Sequence, residues 1–281
     1  ARKMGIQIVP ISVRFGNEEF LDGVEITHEE FYTRLAECDE LPKTSQPSPD
    51  TFMKVFNEAV AAGDDVLGIF ISSDLSGTYQ SACLAASDVE DETGKKLYMV
   101  DSRSASIGTA LLIREAVKLR DAGVNVSDIA AACTEMSKYI KLTAVVGSLK
   151  YLKMGGRLSG AAAFAGTMLH ITPVVSIEDG KVVVIGKTRG KKAAEKLMHD
   201  KLTEDGLSLT RDFMFGHINC SESLETFINK SLTYISDVNG NVGVSSIGCS
   251  VGTHVGPGTY GIAYVEAAES GMNRESIVKT A

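Results

Sequence analysis

Apolar and polar positions alternate in blocks along the first half of the chain. Compact apolar runs predict buried strands at residues 66–71, 97–100 and 142–146. Apolar residues at helical spacing predict helices at residues 49–62, 78–87, 107–122 and 126–139. An alternation of strands and helices is typical of a parallel, doubly wound α/β sheet.

Local signals refine this pattern at the N-terminal end. Ser48 before Pro49 predicts a helix start, and Thr27 with Glu30 fits a capping box ahead of an apolar helix face. The apolar residues on either side of Gly16-Asn17 predict a small hairpin.

The pattern changes after residue 147. Residues 171–177 and 182–186 predict two strands joined at Asp179-Gly180, a strong hairpin signal. Later segments predict helices at residues 191–202 and 222–235 and strands at residues 213–218, 242–247 and 260–265. We therefore expect a parallel, doubly wound α/β domain over residues 1–147 and an α+β domain with a mixed or antiparallel sheet over residues 148–281.

Composition narrows the class of protein. The length of 281 residues, 44% of them hydrophobic, is sufficient for two cores. A formal net charge of -8 argues against a nucleic-acid partner, because phosphate backbones are bound by strongly basic faces. Five scattered cysteines without a C-x-x-C pair are typical of reduced thiols, so we expect a cytoplasmic protein.

No apolar run approaches the roughly 20 residues of a membrane span, and no leader opens the sequence. We therefore expect a soluble protein without stable membrane insertion. The sequence begins at Ala1 rather than at Met, and we expect that a segment precedes it.

Four polar or glycine-rich segments interrupt the apolar pattern at strand ends or helix starts, where ligands bind in open α/β sheets. In the segment of residues 72–80, Ser76, Gly77 and Thr78 open a predicted helix. The free N–H groups at a helix start favour binding of an anion, and helix capping alone is the alternative. Arg157 follows two glycines and is either a ligand contact or part of an interdomain hinge. His254 lies in a predicted Gly/Pro loop, and we expect it to face a ligand. The four segments are residues 43–49, 72–80, 151–160 and 248–258.

Two catalytic motifs are matched only in part. Residues 248–252 fit the G-x-S-x-G pattern of a nucleophile elbow, but that motif needs a following helix, and we expect a loop and a strand instead. Residues 180–188 resemble a P-loop with one residue too many across a predicted hairpin, so we expect no nucleotide site. Histidines and cysteines lack metal-ligand spacing, and we expect neither a metal site nor a cofactor.

Taken together, the segments resemble the DegV family, whose members include the fatty-acid-binding subunits of bacterial fatty acid kinase. The resemblance extends from about residue 8 to residue 264 in the family's order. It rests on Thr44-Ser45-Gln46-Pro47-Ser48, Ser72-Ser73, Leu75-Ser76-Gly77-Thr78-Tyr79-Gln80-Ser81-Ala82, Asp101-Ser102, Tyr151-Leu152-Lys153, Gly155-Gly156-Arg157 and the glycine-rich residues 252–258.

This resemblance implies a two-domain α/β fold with a long-chain fatty acid in the interdomain cleft. Thr44 and Ser76 match hydroxyls that hold the carboxylate, and His254 matches the head-group histidine. Arg157 lies in the motif near the cleft mouth. The residues expected at the carboxylate are Thr44, Ser45, Ser76, Gly77, Thr78 and His254. Members of the family also begin with a strand that ends in an Asp-Ser-Thr type motif, and nothing in this sequence corresponds to it. If that strand is absent, we expect the first sheet to have one strand fewer.

The resemblance further implies a non-catalytic protein that presents its fatty acid to the catalytic subunit of a separate kinase. Arg189 and Lys191 belong to the densest basic run, residues 187–192, which is either a kinase-docking edge or a solvated helix start. Two other hypotheses are a serine hydrolase or acyltransferase that uses Ser250 and His254, and a sensor of small anions with a polar cleft.

Overall fold

A computed structural model of the chain describes residues 2–38, 40–160, 171–208, 210–235 and 240–267. A short 3-10 helix at Arg2–Met4 precedes a small antiparallel sheet. Its strands are β1 (Ser12–Phe15), β2 (Glu18–Leu21) and β3 (Lys43–Ser45), in the order β2-β1-β3. The predicted hairpin at Gly16-Asn17 is thus confirmed.

Helix α1 (His28–Glu37) packs beside this sheet. One half of the predicted capping box is present, because the Thr27 side chain accepts a hydrogen bond from the Glu30 backbone N–H at 3.2 Å. Phe31 and Tyr32 are buried in a cluster with Ile218 and Ile247, so α1 is joined to a distant part of the chain.

A separate two-stranded parallel sheet consists of β4 (Leu67–Phe70) and β5 (Tyr98–Asp101). Strand β4 follows α2 (Pro49–Ala62), which has its predicted Ser48 cap. Three further helices follow: α3 (Thr78–Thr93), α4 (Ile107–Asp121) and α5 (Val126–Met136). All four helices lie where sequence periodicity predicts them.

A six-stranded mixed sheet forms the rest of the fold, with the strand order β10-β9-β11-β6-β7-β8. Strands β9 and β10 are parallel, and the other neighbours are antiparallel. The strands are β6 (Ile140–Val145), β7 (Thr172–Glu178), β8 (Lys181–Thr188), β9 (Phe213–His217), β10 (Val242–Ser246) and β11 (Tyr260–Val265). Helices in this half are α6 (Lys150–Met154), α7 (Lys191–Asp205), α8 (Ser221–Ser231) and α9 (Cys249–Val255).

The mixture of parallel and antiparallel sheets confirms the predicted α/β class. One strand partner differs from the prediction, however: β6 pairs antiparallel with β7 and β11 instead of extending the parallel β4–β5 pair. Apolar periodicity identifies a strand but carries no information about its hydrogen-bonding partner. The boundary after Gly147 stays a prediction, and the mixed sheet contains strands from both sides of it.

The two faces of the mixed sheet have different neighbours. Phe213, Phe215 and Tyr260 pack against residues of α7 and α8. On the opposite face, Ala144 and Val175 pack against a cluster that includes residues following β4 and β5. The β7–β8 turn also meets these loops, since Ser72 Oγ donates to the Gly180 carbonyl at 2.8 Å and Arg103 pairs with Asp179 at 2.9 Å. This seam between the sheets is where the candidate site lies.

Among the described residues, no helix combines the length and the apolar character needed to cross a membrane.

Candidate functional site

A cavity of about 160 Å³ lies along this seam. Its apolar lining consists of Ile11, Ile71, Leu75, Ala105, Ile107, Leu142, Ala144, Leu152, Val175, Ile177, Val182, Ile218, Ile247, Val251, Val255 and Gly261. Its polar lining consists of Thr44, Gln46, Ser76, Ser106, Arg157, Ser250, His254 and Thr259. Apolar walls with a few polar groups are typical of a site for an amphiphilic ligand.

Strand β3 places Thr44 at the cavity. Thr44 Oγ1 lies 2.9 Å from His254 Nε2, so these two predicted residues meet although 210 positions separate them. Ser45 is exposed and is not among the described residues that line the cavity. Because neighbouring strand residues point to opposite faces, only Thr44 of the two is directed to the cavity.

His254 lies on a helix, which corrects the predicted loop at residues 248–258. Gly252 of this helix leaves space for a neighbouring side chain, because a Cβ there would lie 2.3 Å from the Tyr32 hydroxyl. The Tyr32 hydroxyl donates to the Ile247 carbonyl at 3.0 Å, which holds the turn before α9. Glycine at position 252 therefore permits the close approach of α1 to this helix.

The environment of His254 keeps its imidazole neutral. Burial, together with the positive charge of Arg157, lowers the pKa of His254 to about 4. The second ring nitrogen, Nδ1, is buried and has no hydrogen-bond partner among the described residues. At neutral pH His254 is therefore a neutral imidazole and not an imidazolium.

The loop between β4 and α3 contributes Ser76. Its Oγ lies 2.8 Å from Thr78 Oγ1, and Thr78 itself is buried and is not among the described lining residues. Gly77 caps α3, and a Cβ there would come 2.3 Å from Gln46 Oε1, so the glycine leaves space for that amide. Gln46 lines the cavity but was not among the predicted site residues, although it lies in the hydroxyl-rich segment of residues 43–49.

Arg157 completes the polar cluster of the cavity, whose other members are Thr44, Ser76 and His254. Its Nε donates to the Leu75 carbonyl at 3.1 Å and its guanidinium also donates to the Gly155 carbonyl at 2.6 Å. Gly155 lies against His254, because a Cβ at Gly155 would be 2.3 Å from His254 Nδ1. The guanidinium is thus fixed between the Ser76 loop and His254. The Ala-rich helix predicted after Gly160 falls in residues 161–170, outside the described part of the chain.

The basic run lies elsewhere on the surface. Arg189 is exposed after β8, and Lys191 is exposed at the first position of α7, where its Nζ donates to Ser223 Oγ at 2.9 Å. Neither residue lines the cavity in the described structure.

Ser250 lies in a strand–turn–helix context, since β10 leads directly into α9. This corrects the prediction that a loop and a strand follow residues 248–252. Its Oγ donates to Asp22 Oδ2 at 2.7 Å, whereas His254 pairs with Thr44. Asp22 was missed because it is a lone acidic residue remote in sequence. The serine–histidine hydrogen bond of an activated nucleophile is replaced by these two separate pairs.

One mixed cluster of metal-ligand type occurs among the described residues: atoms of Asp22, His28 and Cys249 lie within 4.8 Å of one another. Three separate segments supply them, which is why spacing in the sequence did not indicate the cluster. Burial and the Asp22 carboxylate raise the pKa of the Cys249 thiol, so a metal ion would have to displace its proton on binding. Asp22 already accepts the Cys249 and Ser250 backbone N–H groups at 3.0 and 2.8 Å.

The model of the family described as "Uncharacterised protein, DegV family" matches residues 1–267. The chain belongs to the DegV family. A DegV domain-containing protein of Clostridium acetobutylicum is 36% identical over an alignment of 272 residues that covers 93% of this chain and 91% of that protein.

Solved DegV structures agree with this assignment. A fatty-acid-binding DegV family protein from Thermus thermophilus matches with a TM-score of 0.83 at 31% identity, covering 94% of this chain and 93% of that one. A stearic-acid-binding protein from Eubacterium ventriosum matches with a TM-score of 0.82 at 28% identity, covering 96% and 94%.

Proposed function

We propose that this DegV protein binds one long-chain fatty acid in the cavity between its sheets. The observation that carries the proposal is the composition of that cavity, in which aliphatic walls surround a cluster formed by Thr44, Ser76, Arg157 and His254. Burial of each CH₂ group is favourable by about 0.8 kcal/mol, so the walls supply affinity. The fatty-acid ligands of the Thermus thermophilus and Eubacterium ventriosum relatives support the same assignment.

The polar cluster is suited to a carboxylate because its members can donate hydrogen bonds. The Thr44–His254 pair and the Ser76–Thr78 pair each keep one proton beyond the one shared within the pair, and Arg157 supplies positive charge. A carboxylate buried without donors would be strongly unfavourable, so this cluster offsets its loss of hydration.

The test compares a long-chain fatty acid with the alcohol of the same length. Native mass spectrometry of freshly purified protein should detect one bound fatty acid. Ser76→Ala and His254→Ala should weaken binding of the acid about tenfold, with little change for the alcohol, because each removes a hydrogen bond to a charged group. Equal losses for acid and alcohol would contradict the head-group assignment, and absence of lipid binding would contradict the function.

We further propose that the protein is a non-catalytic subunit that presents the carboxylate to a separate fatty acid kinase for acyl-phosphate formation. The exposed basic side chains of Arg189 and Lys191 support a docking edge for an acidic partner surface. Charge reversal of both, Arg189→Glu with Lys191→Glu, should slow acyl-phosphate formation and leave the fatty acid Kd unchanged. Unchanged rates would refute the docking edge without affecting the binding function.

The hydrolase alternative is favoured by one observation, the strand–turn–helix context of Ser250. A serine-directed phosphonate distinguishes the two functions. Covalent labelling of Ser250 would favour the enzyme, whereas unlabelled protein that retains lipid would favour the carrier.

A further inference from the structure

Asp22 fixes the direction in which the Ser250 hydroxyl points. The Asp22 carboxylate accepts from the Cys249 and Ser250 backbone N–H groups and, at 2.7 Å, from Ser250 Oγ. An ionised carboxylate can only accept, so the single hydroxyl proton of Ser250 is committed to Asp22. The lone pairs are what Ser250 Oγ has left to offer any other group.

Ser250 also lines the cavity, together with several aliphatic residues. Ile11, Ile218, Ile247 and Val251 are its apolar companions in the lining. A plain alkyl chain laid against Ser250 would cover the oxygen without giving it a donor, which is unfavourable for a polar group. A hydroxyl group on the chain would supply that donor.

The position of Ser250 indicates where on the chain this hydroxyl would lie. Ser250 and His254 are four residues apart on α9 and both face the cavity, so their Cβ atoms are about 5–6 Å apart. A carboxylate held by His254 and Thr44 therefore brings the first few carbons of the acyl chain beside Ser250. A hydroxyl on carbon 3 fits this spacing, whereas one at the far end of a long chain does not.

Capping of α9 does not require the hydroxyl. Two backbone N–H groups already reach Asp22, as in an ordinary helix cap made by another segment of the chain. The Ser250 side chain is an addition to that cap, and its removal leaves the two backbone hydrogen bonds in place.

We propose that Ser250, oriented by Asp22, is a hydrogen-bond-accepting subsite, and that 3-hydroxy long-chain fatty acids are the preferred ligand class of this cavity. The proposal rests on the proposed fatty-acid function and adds a selectivity that the carboxylate cluster alone does not give.

The experiment measures the Kd values of delipidated protein for palmitic acid, both enantiomers of 3-hydroxypalmitic acid and 16-hydroxypalmitic acid. One 3-hydroxy enantiomer should bind about three- to tenfold more tightly than palmitic acid, the value of one added hydrogen bond. The 16-hydroxy acid should show no gain. Ser250→Ala should abolish the 3-hydroxy preference, so that palmitic acid and both 3-hydroxypalmitic acids bind with similar Kd values, and Ser250→Thr, which keeps a hydroxyl, should retain the preference.

A wild-type protein without the 3-hydroxy preference, or a preference that survives in Ser250→Ala, would overturn the subsite. Thermal melting of each variant shows whether the fold is intact, and Ser250→Thr tests the same hydroxyl if the alanine variant does not fold. Absence of binding of every acid would overturn the proposed function and the subsite together, whereas tight palmitic acid binding without the preference would overturn the subsite alone.

Discussion

The aliphatic wall of the cavity and its polar cluster are built in different ways. Ala144, Val175 and Ile177 come from adjacent strands of one sheet, and the regular alternation of strand residues directs all of them to the same face. The polar cluster instead combines β3, the β4–α3 loop, the segment after α6 and helix α9, which lie far apart in sequence.

This difference has an energetic counterpart. The wall contributes many similar contacts, each small, so its effect on affinity is spread over the length of a ligand. The cluster contributes a few directional hydrogen bonds, and losing one partner there leaves a buried polar group unsatisfied. We therefore expect changes in the wall to alter chain-length selectivity and changes in the cluster to alter recognition of the acid group.

The largest predicted effect comes from filling the cavity at the wall. Ala144 is 6% exposed and lines the cavity, and Ala144→Leu adds three carbons there. Displacing two or three CH₂ groups of the ligand costs about 2 kcal/mol, so binding of a C16 or C18 fatty acid should weaken about thirtyfold. Isothermal titration with acids from C10 to C18 should show the loss growing with chain length.

Ala130→Leu serves as the control, because Ala130 is also buried but lies on α5 in a different core. It should lower stability through overpacking and leave chain-length selectivity unchanged. If Ala144→Leu weakens all chain lengths equally, the wall does not contact the acyl tail in the way we propose.

A smaller effect is expected within the polar cluster. Thr44→Val keeps the side-chain shape but removes the hydroxyl that lies 2.9 Å from His254 Nε2. Binding of the fatty acid should weaken about tenfold while the matching alcohol changes little, since the lost hydrogen bond serves the charged head group. Ser45→Ala, at the exposed neighbouring position of β3, should bind both ligands as the wild type does. A loss in Ser45→Ala as large as that in Thr44→Val would refute the assignment.

Secondary structure was largely predictable from sequence because strand, hairpin and cap signals are local, whereas the pairing of β6 with β7 in the wall was not. The Asp179-Gly180 turn is one example of a local signal: both residues have positive φ angles, 48° and 80°, as the predicted two-residue hairpin requires. Helix α2 spans Pro49–Ala62, and a capping serine with a following proline marks its start in the sequence.

The arrangement of the polar cluster was less predictable because it depends on contacts between distant segments. Thr44, Ser76, Arg157 and His254 could be selected from sequence, but the exposure of Ser45 and the involvement of Gln46 and Asp22 could not. Helix α9 was mistaken for a loop because glycine weakens a helix locally, whereas close packing against Tyr32 requires glycine at that point.

The smallest predicted effect links the cluster to stability at acidic pH. His254 has a pKa of about 4 in the folded protein, below its value of about 6.5 in an unfolded chain. As the pH falls below about 6.5 the unfolded state takes up a proton that the folded state does not, so this contribution destabilises the fold progressively down to about pH 4. In delipidated protein, the unfolding free energy of the wild type minus that of His254→Asn, measured by urea unfolding, should fall by about 1 kcal/mol between pH 7 and pH 5.5. A difference that stays constant or grows as the pH falls would mean that His254 is not held neutral by its surroundings.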